Sequence, residues 1–411
     1  MSYINKRVPK RRFEEFNNTD DWEQRKLGEI ANSFEYGLNA SSKTYDGENK
    51  YIRITDIDES SHVFNQDNLT SPDISLDNLN HYLLEEGDIL LARTGASTGK
   101  SYCYNKIDGK VFFAGFLIRA KIKHEYNVSF IFQSTLTERY NNFIQVTSQR
   151  SGQPGINAQE YARFALYIPK LKEQQKIGDF FKQLDNTITL HQRKLEKIKA
   201  LKTAYLSEMF PAEGETKPKR RFAGFTDDWE QRKFSQVADI FDGTHQTPKY
   251  TDFGVKFVSV ENIATMETKK YISQEAYDKE YSNKKVEQGD VLMTRIGDVG
   301  TAKVIETDEP LAYYVTLALL KPKGIDPDFL AQQIASPEVQ RSIWKRTLHI
   351  AFPKKINLGE INQVSIFIPD LEEQVEIGIF FKKLDKTITI HQRKLQKLQN
   401  IKKAYLNEMF I

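Results

Sequence analysis

The chain of 411 residues has almost no cysteine and no long hydrophobic run, and both absences exclude classes of protein. Its one cysteine, Cys103, excludes an intramolecular disulfide and a cysteine metal cluster, which fits a reducing cytoplasm. The longest largely apolar run, residues 311–320, is about half the length that a membrane-spanning helix needs. The N-terminal sequence MSYINKRVPKRRFEEF has no apolar segment, so we expect no signal peptide and no membrane partner.

Charge of one sign is also not in large excess. The formal net charge is +3, and charged residues make up 28% and hydrophobic residues 39% of the chain. These proportions are typical of a globular protein with two or three domains, each large enough to bury a core. The small net charge neither establishes nor excludes a polyanionic partner, because a basic surface depends on how the charges are distributed.

An internal repeat of about 200 residues is the most informative feature that the sequence does have. Residues 171–210 and 371–410 are identical at about two-thirds of their positions. In each copy, apolar residues recur at alternating spacings of four and three, which is typical of a coiled-coil seam. The seam residues are Ile177, Phe181, Leu184, Ile188, Leu195, Ile198, Tyr205 and Met209 in the first copy, and Ile377, Phe381, Leu384, Ile388, Leu395, Leu398, Tyr405 and Met409 in the second.

Each copy is predicted to form one long helix, which would span roughly 60 Å at about 1.5 Å per residue. Pro169 and Pro369 stand where helix starts tolerate proline, and Pro211 ends the first helix. So long an apolar stripe needs a partner, and the simplest partner is the other copy. We interpret the helices as a spacer that also docks other subunits, although a plain intramolecular bundle fits the same pattern. His191 and His391 fall on the seam, where a register-setting polar residue fits better than a metal ligand.

A second repeated signature marks the start of two globular modules. The sequence PKRRFEEFNNTDDWEQRKL begins at Pro9, and PKRRFAGFTDDWEQRKF begins at Pro218. We interpret Trp22 and Trp229 as packing anchors, whereas the preceding Lys/Arg cluster fits either a phosphate contact or a solvated linker. The predicted organisation is an N-terminal segment at 1–21, a module at 22–168, a helix at 169–210, a linker at 211–228, a module at 229–368 and a helix at 369–411. The predicted fold class is α+β, with two pseudo-repeated mixed α/β modules separated by two long antiparallel coiled-coil helices.

The two modules share predicted strands. Residues 50–57 (KYIRITDI) and 256–263 (KFVSVENI) carry strand signals with one apolar frame, but the alternate face changes, so that Arg53 matches Ser259. The segments GDILLARTG and GDVLMTRIG are a strand followed by a glycine loop, and they carry Arg93 and Arg295. An arginine there suits a phosphate or bidentate recognition of guanine, and the plainer interpretation is a hairpin with a surface arginine.

The loops of the two modules carry unlike polar residues. QRSGQPGINA in the first module corresponds to TLHIAFPKKIN in the second, and YGLNASSKTY corresponds to DGTHQTPKY. Gly99-Lys100-Ser101 resembles the end of a P-loop, but Thr94 stands where that motif requires glycine, so we reject nucleotide binding. Amide, guanidinium and other polar groups on such loops can read base edges. The candidate DNA-contacting residues are Arg53, Arg93, Thr94, Lys100, Arg150, Gln153, Asn157, His245, Gln246, Lys249, Arg295, His349, Lys354 and Lys355.

In order, doubling and spacing, these motifs resemble those of the specificity subunits of type I restriction–modification systems. The resemblance rests on DDWEQRK, GDILLARTG with GDVLMTRIG, DGTHQTPKY, and IPKLKEQQKIGDFF with IPDLEEQVEIGIFF, and it covers both halves from about Pro9. It implies two target-recognition domains, each reading half of a bipartite site on double-stranded DNA, and two helices that fix the gap. It also implies a cytoplasmic subunit without a catalytic centre, cofactor or metal, which recruits two methyltransferase subunits using S-adenosylmethionine and two restriction/translocase subunits using ATP and Mg.

The sequence agrees with a non-catalytic role. It has no Asn-Pro-Pro-aromatic methylation motif, no P-loop and no persuasive cluster of nuclease carboxylates. Two other hypotheses compete with the specificity subunit. A non-DNA coiled-coil scaffold carrying two like ligand-binding domains explains the repeat and the helices, but not the differing loops. An enzyme with an unrecognised site should carry one polar constellation in both copies, and the polar loop residues do not repeat.

Overall fold

The computed structural model describes residues 7–150 and 152–411, so residues 1–6 of the predicted N-terminal segment lie outside the described residues. The chain divides into two units, one formed by Met1–Arg193 with Gln392–Ile411 and the other by Lys194–His391. Each unit therefore combines one α/β module with part of each long helix. The predicted fold class, two mixed α/β modules with two long helices, is confirmed.

The first unit contains a four-stranded antiparallel sheet in the order β2-β9-β6-β7, on which short helices pack. Two smaller antiparallel pairs, β1-β10 and β3-β5, and one parallel pair, β4-β8, complete it. The strands are β1 (Glu23–Lys26), β2 (Ala31–Tyr36), β3 (Ser42–Thr44), β4 (Lys50–Ile52), β5 (Thr70–Pro72), β6 (Asp88–Ala92), β7 (Ser101–Cys103), β8 (Val111–Phe113), β9 (Leu117–Ile122) and β10 (Ala165–Ile168). The helices are α1 (Leu27–Ile30), α2 (Val128–Ser134), α3 (Glu138–Thr147), α4 (Ala158–Ala162) and the long α5 (Leu171–Glu208), which continues into the second unit.

The second unit repeats the strand order and directions of this main sheet, as β12-β18-β15-β16, but its smaller sheets differ. Strands β11 and β19 pair antiparallel, and β13 pairs antiparallel with β14 and parallel with β17. The strands are β11 (Glu230–Lys233), β12 (Ala238–Asp242), β13 (Val255–Val258), β14 (Tyr271–Ile272), β15 (Val291–Thr294), β16 (Ala302–Val304), β17 (Leu311–Tyr313), β18 (Leu317–Pro322) and β19 (Ser365–Ile368). The helices are α6 (Phe234–Val237), α7 (Gln274–Glu280), α8 (Pro327–Ala335), α9 (Pro337–Arg346), α10 (Leu358–Asn362) and the long α11 (Leu371–Met409).

The strand predicted over residues 50–57 is wrong in its second half, and so is its counterpart over residues 256–263. The strands end at Ile52 and Val258, and each is followed by a 3-10 helix, at Ile54–Asp56 and Val260–Asn262. Asp56 stabilises the first turn by accepting a hydrogen bond from the Arg53 backbone N–H at 2.9 Å. Alternating apolar residues do not reveal such a side-chain cap, because the cap depends on a single carboxylate.

The long helices pack against each other in opposite directions. In the first unit, Phe180 near the start of α5 meets Tyr405 near the end of α11, with ring centroids 5.0 Å apart. In the second unit, Tyr205 near the end of α5 meets Phe380 near the start of α11 at the same distance. The sixteen seam residues named from the sequence are all buried or half-buried, and His191 and His391 are half-buried.

The second arginine of the repeated Lys/Arg cluster, Arg12 in the first copy and Arg221 in the second, joins its module to a long helix. It therefore fits neither a phosphate contact nor a solvated linker. Arg12 forms a bidentate ion pair with Glu173 in α5, at 2.6 and 2.7 Å, and Arg221 pairs identically with Glu373 in α11. The Arg12 side chain is only 6% exposed and that of Glu173 only 2%, so neither contacts a phosphate or forms a solvated linker. Hydrogen bonding to Glu173 raises the pKa of Arg12, which keeps it charged.

Trp22 and Trp229 are packing anchors, as predicted. They are 1% and 2% exposed. The Trp22 ring lies 5.6 Å from the Phe130 ring in the core of the first unit, and Trp229 lies 5.7 Å from Phe329 in the second. Each tryptophan thus packs the start of its module against the first helix after the main sheet, which is α2 in the first unit and α8 in the second.

A glycine in each long helix allows the module to approach closely. A β-carbon at Gly178 would lie 2.3 Å from Asn127 Oδ1, and one at Gly378 would lie 2.6 Å from Asp326 Oδ1. Asn127 and Asp326 cap α2 and α8, respectively, through those oxygens. Any larger residue would therefore displace the cap.

Candidate nucleic-acid interface

In the first unit, four loops meet at one edge of the main sheet, where β2 and β6 end and β9 and β7 begin. The loops comprise residues 36–45, 93–100, 114–116 and the described part of 148–157, which excludes residue 151. The Arg93 backbone N–H donates to the Phe116 carbonyl at 3.0 Å, and the Gly95 N–H donates to the Pro154 carbonyl at 3.0 Å. A β-bridge joins Thr94 to Gly155. The loops therefore form one hydrogen-bonded surface rather than separate flaps.

The Arg93 side chain contacts two of the other loops of this surface. Its guanidinium carbon is 4.8 Å from the centroid of the Tyr36 ring, and one terminal nitrogen donates to the Gly115 carbonyl at 3.4 Å. Tyr36 is 43% exposed, and its hydroxyl accepts a hydrogen bond from the Ala158 backbone N–H at 3.2 Å. A guanidinium held over a ring is attracted to it electrostatically, and the N–H donors that make no internal bond remain available to a ligand.

Arg295, the counterpart of Arg93, has a different environment in the second unit. It is only 6% exposed, and it donates to the Asp242 carboxylate at 3.2 Å and to the Ile356 carbonyl at 3.3 Å. Burial alone would raise the pKa of Asp242, but the hydrogen bond from His245 and the charges of His245 and Arg295 hold it below its ordinary value. Arg295 is thus a buried ion-pair partner, whereas the sequence placed it on the surface of a loop.

The strand register shows that Tyr36 and Asp242 occupy the same place in the two units. Tyr36 pairs with Ile118 and Asp242 pairs with Ala318, each one residue after the start of the central strand. One position therefore determines whether the nearby arginine stacks on a ring or pairs with a carboxylate. Neither residue is among the candidates named from the sequence, although each stands directly before the glycine that opens a differing loop.

The remaining candidates of the first unit divide into two groups. The Arg150 guanidinium pairs with both Glu160 oxygens at 2.6 and 2.7 Å, and the Asn157 side chain caps α4 by accepting from the Glu160 N–H at 2.9 Å. These residues and the exposed Gln153 lie in the loop that contacts Arg93. Arg53 and Lys100 bond to other parts of the unit, and Arg53 also donates to the Ser42 hydroxyl in the 36–45 loop at 3.1 Å. Arg53 pairs with Asp56 at 2.8 and 2.9 Å, and the Lys100 ammonium donates to the Ile57 carbonyl at 3.2 Å.

The corresponding loops of the second unit, residues 242–250, 295–301, 314–316 and 347–357, also meet at one edge. The Gly297 N–H donates to the Lys354 carbonyl at 2.9 Å, and the Val315 N–H donates to the Thr244 carbonyl at 3.0 Å. A β-bridge joins Ile296 to Lys355, which is exposed.

The polar candidates of the second unit are spread over two of these loops. His245 Nε2 lies 2.6 Å from an Asp242 oxygen, and the exposed Gln246 and Lys249 follow it in the same loop. On the other loop, the His349 ring lies 4.0 Å from the Trp344 ring, and the Lys354 ammonium lies 4.9 Å from it. Trp344 was not among the sequence candidates, although it is 56% exposed in α9.

Metal sites and membrane-spanning helices are both absent from the described residues. In the part of the chain that the structure describes, no three His, Cys, Asp or Glu side chains are grouped so as to hold a metal ion. Among the same residues, no helix is long and apolar enough to cross a membrane.

Comparison with known proteins identifies the repeat. The family model for the type I restriction modification DNA specificity domain matches residues 19–200 and again residues 226–400. The chain is 22% identical over 347 residues to the type I restriction enzyme MjaVIII specificity subunit of Methanocaldococcus jannaschii, which covers 79% of this chain and 78% of that protein. It is 29% identical over 102 residues to the type I restriction enzyme EcoBI specificity subunit of Escherichia coli, which covers 24% and 21%.

Solved structures share the fold. The S subunit of a type I restriction–modification system from M. genitalium superimposes with a TM-score of 0.68 at 13% identity, over 98% of this chain and 99% of that one. A chain from a study of assembly and conformational transition of the type I R-M system gives 0.50 at 17% identity, over 94% and 97%. The two family matches together span most of the sequence. The chain therefore belongs to the type I restriction–modification DNA specificity family, and it carries the family's specificity domain twice.

Proposed function

We propose that each unit reads one half of a two-part site on double-stranded DNA, and that the long helices set the unread gap between the halves. One observation carries this proposal. The same edge of the same scaffold presents loops in both units, yet the side chains on those loops differ, as with Tyr36 beside Arg93 and Asp242 beside Arg295. Two copies of one site with unlike polar groups suit two different base sequences. The non-DNA scaffold is not favoured, since both modules match a DNA specificity domain.

Within each unit, the side chains divide by the kind of DNA contact that they suit. Phosphate contacts fix position, whereas contacts to base edges specify sequence. Arg93 suits bidentate recognition of guanine, because its guanidinium is held over the Tyr36 ring and keeps N–H donors for a base edge. Exposed cations such as Lys249 and Lys355 suit phosphates, where geometry matters less.

The helices support a second part of the proposal, which is that they dock two methyltransferase subunits. Their seam residues face inward, so docking falls to apolar side chains that remain outside the seam. Leu190 and Ile390 occupy equivalent positions and are 66% and 55% exposed. Paired apolar side chains at equivalent positions suit two copies of one partner. The methylation chemistry and its S-adenosylmethionine would belong to those subunits, and ATP and Mg to two restriction/translocase subunits of the same cytoplasmic complex.

Methylation mapping tests this function directly. The chain would be expressed with its methyltransferase subunit in a host that lacks adenine methylation, and modified adenines would be located by sequencing. We expect a single two-part motif with a fixed gap. Absence of modification from a complex that is shown to be assembled would contradict the proposal.

Two altered chains make the test specific. Replacing residues 22–168 with another module of this family should change one half of the motif and leave the other half and the gap intact. Equal insertions into α5 and α11 should change the gap alone. A scaffold would instead bind its partner with little dependence on salt, whereas DNA binding falls steeply as ionic strength rises.

A further inference from the structure

The second unit carries a hairpin whose tip is apolar and fully exposed. Leu348 and Lys355 pair across it, with the Leu348 N–H donating to the Lys355 carbonyl at 2.7 Å. Between them, Ile350 is 99% exposed and Phe352 is 104% exposed, so that neither side chain packs on the unit. An exposed cluster of large apolar side chains on a soluble module marks a binding surface more often than chance.

The base of this hairpin is firmly held. Thr347 and Ile356, which flank it, are 6% and 0% exposed. The Ile356 N–H donates to the Arg295 carbonyl at 2.9 Å, and the Thr347 hydroxyl donates to the Ile343 carbonyl at 2.8 Å. The tip therefore projects from a fixed support, and that support is the same loop cluster that contains Arg295.

Two cations lie beside the tip, on one strand of the hairpin. Lys354 lies over the Trp344 ring, which also packs against His349, and the next residue, Lys355, is exposed. Among the described residues, neither lysine forms an ion pair with a carboxylate. An apolar tip flanked by cations complements a partner with an anionic outside and an apolar inside. Duplex DNA has this arrangement, because the phosphates surround the stacked bases.

We propose that Phe352 and Ile350 enter between two base pairs of the half-site that the second unit reads, and that they partly unstack this step. The proposal rests on the proposed function and adds a wedge to it. Flexible pyrimidine–purine steps open most easily, so the wedge should select such a step without hydrogen bonding to its bases. The equivalent loop of the first unit, QRSGQPGINA, has only polar and small residues at its tip, so the wedge acts on one half-site alone.

The test uses the assembled complex with its methyltransferase subunit and a duplex containing the mapped motif. The fluorescent base 2-aminopurine is placed at each purine of the second half-site except the methylated position and its partner. Its fluorescence rises when it unstacks. We expect a rise at one step with the native chain, loss of that rise with Phe352→Ala, and recovery with Phe352→Leu, which keeps an apolar tip. Binding of Phe352→Ala to the motif should weaken about 10-fold, as expected for the loss of one stacked ring.

Ile107→Ala is the matched control. Ile107 is 79% exposed in the first unit. It lies near the edge of the main sheet opposite to Arg93, where β6 begins and β7 ends and where the Tyr104 N–H donates to the Asp88 carbonyl. It should leave fluorescence and binding unchanged. Phe352 has no packing to lose, so its variants should fold normally.

The possible results separate this proposal from the proposed function. If the native complex methylates a two-part motif but no step of the second half-site unstacks, the wedge is wrong and the function stands. If Phe352→Ala prevents assembly with the methyltransferase subunit, the tip is a protein contact and the wedge is also wrong. If no motif is methylated at all, the function itself fails.

Discussion

Arg93 and Arg295 occupy equivalent positions, but we expect their removal to have opposite consequences. Arg93→Ala should leave the first unit nearly as stable as before. It removes a stacking contact with the partly exposed Tyr36, worth about 0.5–1 kcal/mol, and a long hydrogen bond of 3.4 Å. Recognition of the first half-site should weaken by about 1–3 kcal/mol if the guanidinium reads a base.

Arg295→Ala should instead destabilise the second unit. Breaking a fully buried ion pair costs about 3–5 kcal/mol, because the remaining charge is left without a partner. Asp242 is 28% exposed at its side chain and keeps His245 at 2.6 Å, which reduces that cost. Loss of the guanidinium also removes a donor from the Ile356 carbonyl. We therefore expect a loss of about 2–3 kcal/mol in the free energy of unfolding.

Urea denaturation of the intact chain measures the total loss, and hydrogen exchange of peptides from β6 and β15 assigns it to a unit. Asp242→Asn is the companion variant, because it breaks the same pair from the other side. The double variant should lose at least about 1 kcal/mol less in the free energy of unfolding than the two single variants lose in total, because the two residues belong to one interaction. Equal stability losses from Arg93→Ala and Arg295→Ala, or strict additivity with Asp242→Asn, would refute the structural role of Arg295.

Three further outcomes follow from contacts inside the units. Gly378→Ala should cost about 2–3 kcal/mol in thermal or urea denaturation, because its β-carbon displaces the helix cap of α8, whereas Gly359→Ala, with nothing within 4 Å, should be neutral. Arg12→Met should cost about 3 kcal/mol by leaving Glu173 buried and unpaired, and the double variant with Glu173→Met should recover most of that loss. The pKa of Asp242 is lowered in the folded protein, so its ionised carboxylate contributes fully to the free energy of unfolding above the ordinary aspartate pKa range. This contribution is lost as pH falls below about 4, and Asp242→Asn should abolish that part of the pH dependence.

The sequence predicted the architecture well where the signal is local and repeated. The spacing of four and three along α5 and α11 identifies the seam, because helix periodicity depends only on neighbouring turns. The anchoring roles of Trp22 and Trp229 were likewise accessible, because each begins a module. The error at residues 53–56 arose because Asp56 caps a 3-10 turn inside an apolar pattern that a strand also satisfies.

The site was less accessible, because its contacts join residues that are far apart in the chain. Arg93 meets Tyr36 from a preceding strand and Ile156 from a later loop, and neither contact leaves a pattern in the sequence. The exposure of Phe352 was also hidden, since phenylalanine in a loop is commonly a core residue. Comparison of the two loop sequences did contain a signal. TLHIAFPKKIN carries large apolar side chains at the tip, whereas its counterpart QRSGQPGINA carries none there.

The repeat itself separates the residues that build the scaffold from those that distinguish the two half-sites. Residues identical in both copies, such as Arg12 with Arg221 and Glu173 with Glu373, form buried ion pairs that join module to helix. Arg93 and Arg295 are the exception, because the arginine lies over a tyrosine ring in one unit and is buried against a carboxylate in the other. A repeated residue therefore has a repeated role only when its neighbours repeat as well. For this reason we expect the differing residues beside shared ones, such as Tyr36 and Asp242, to determine whether a shared arginine is available to DNA.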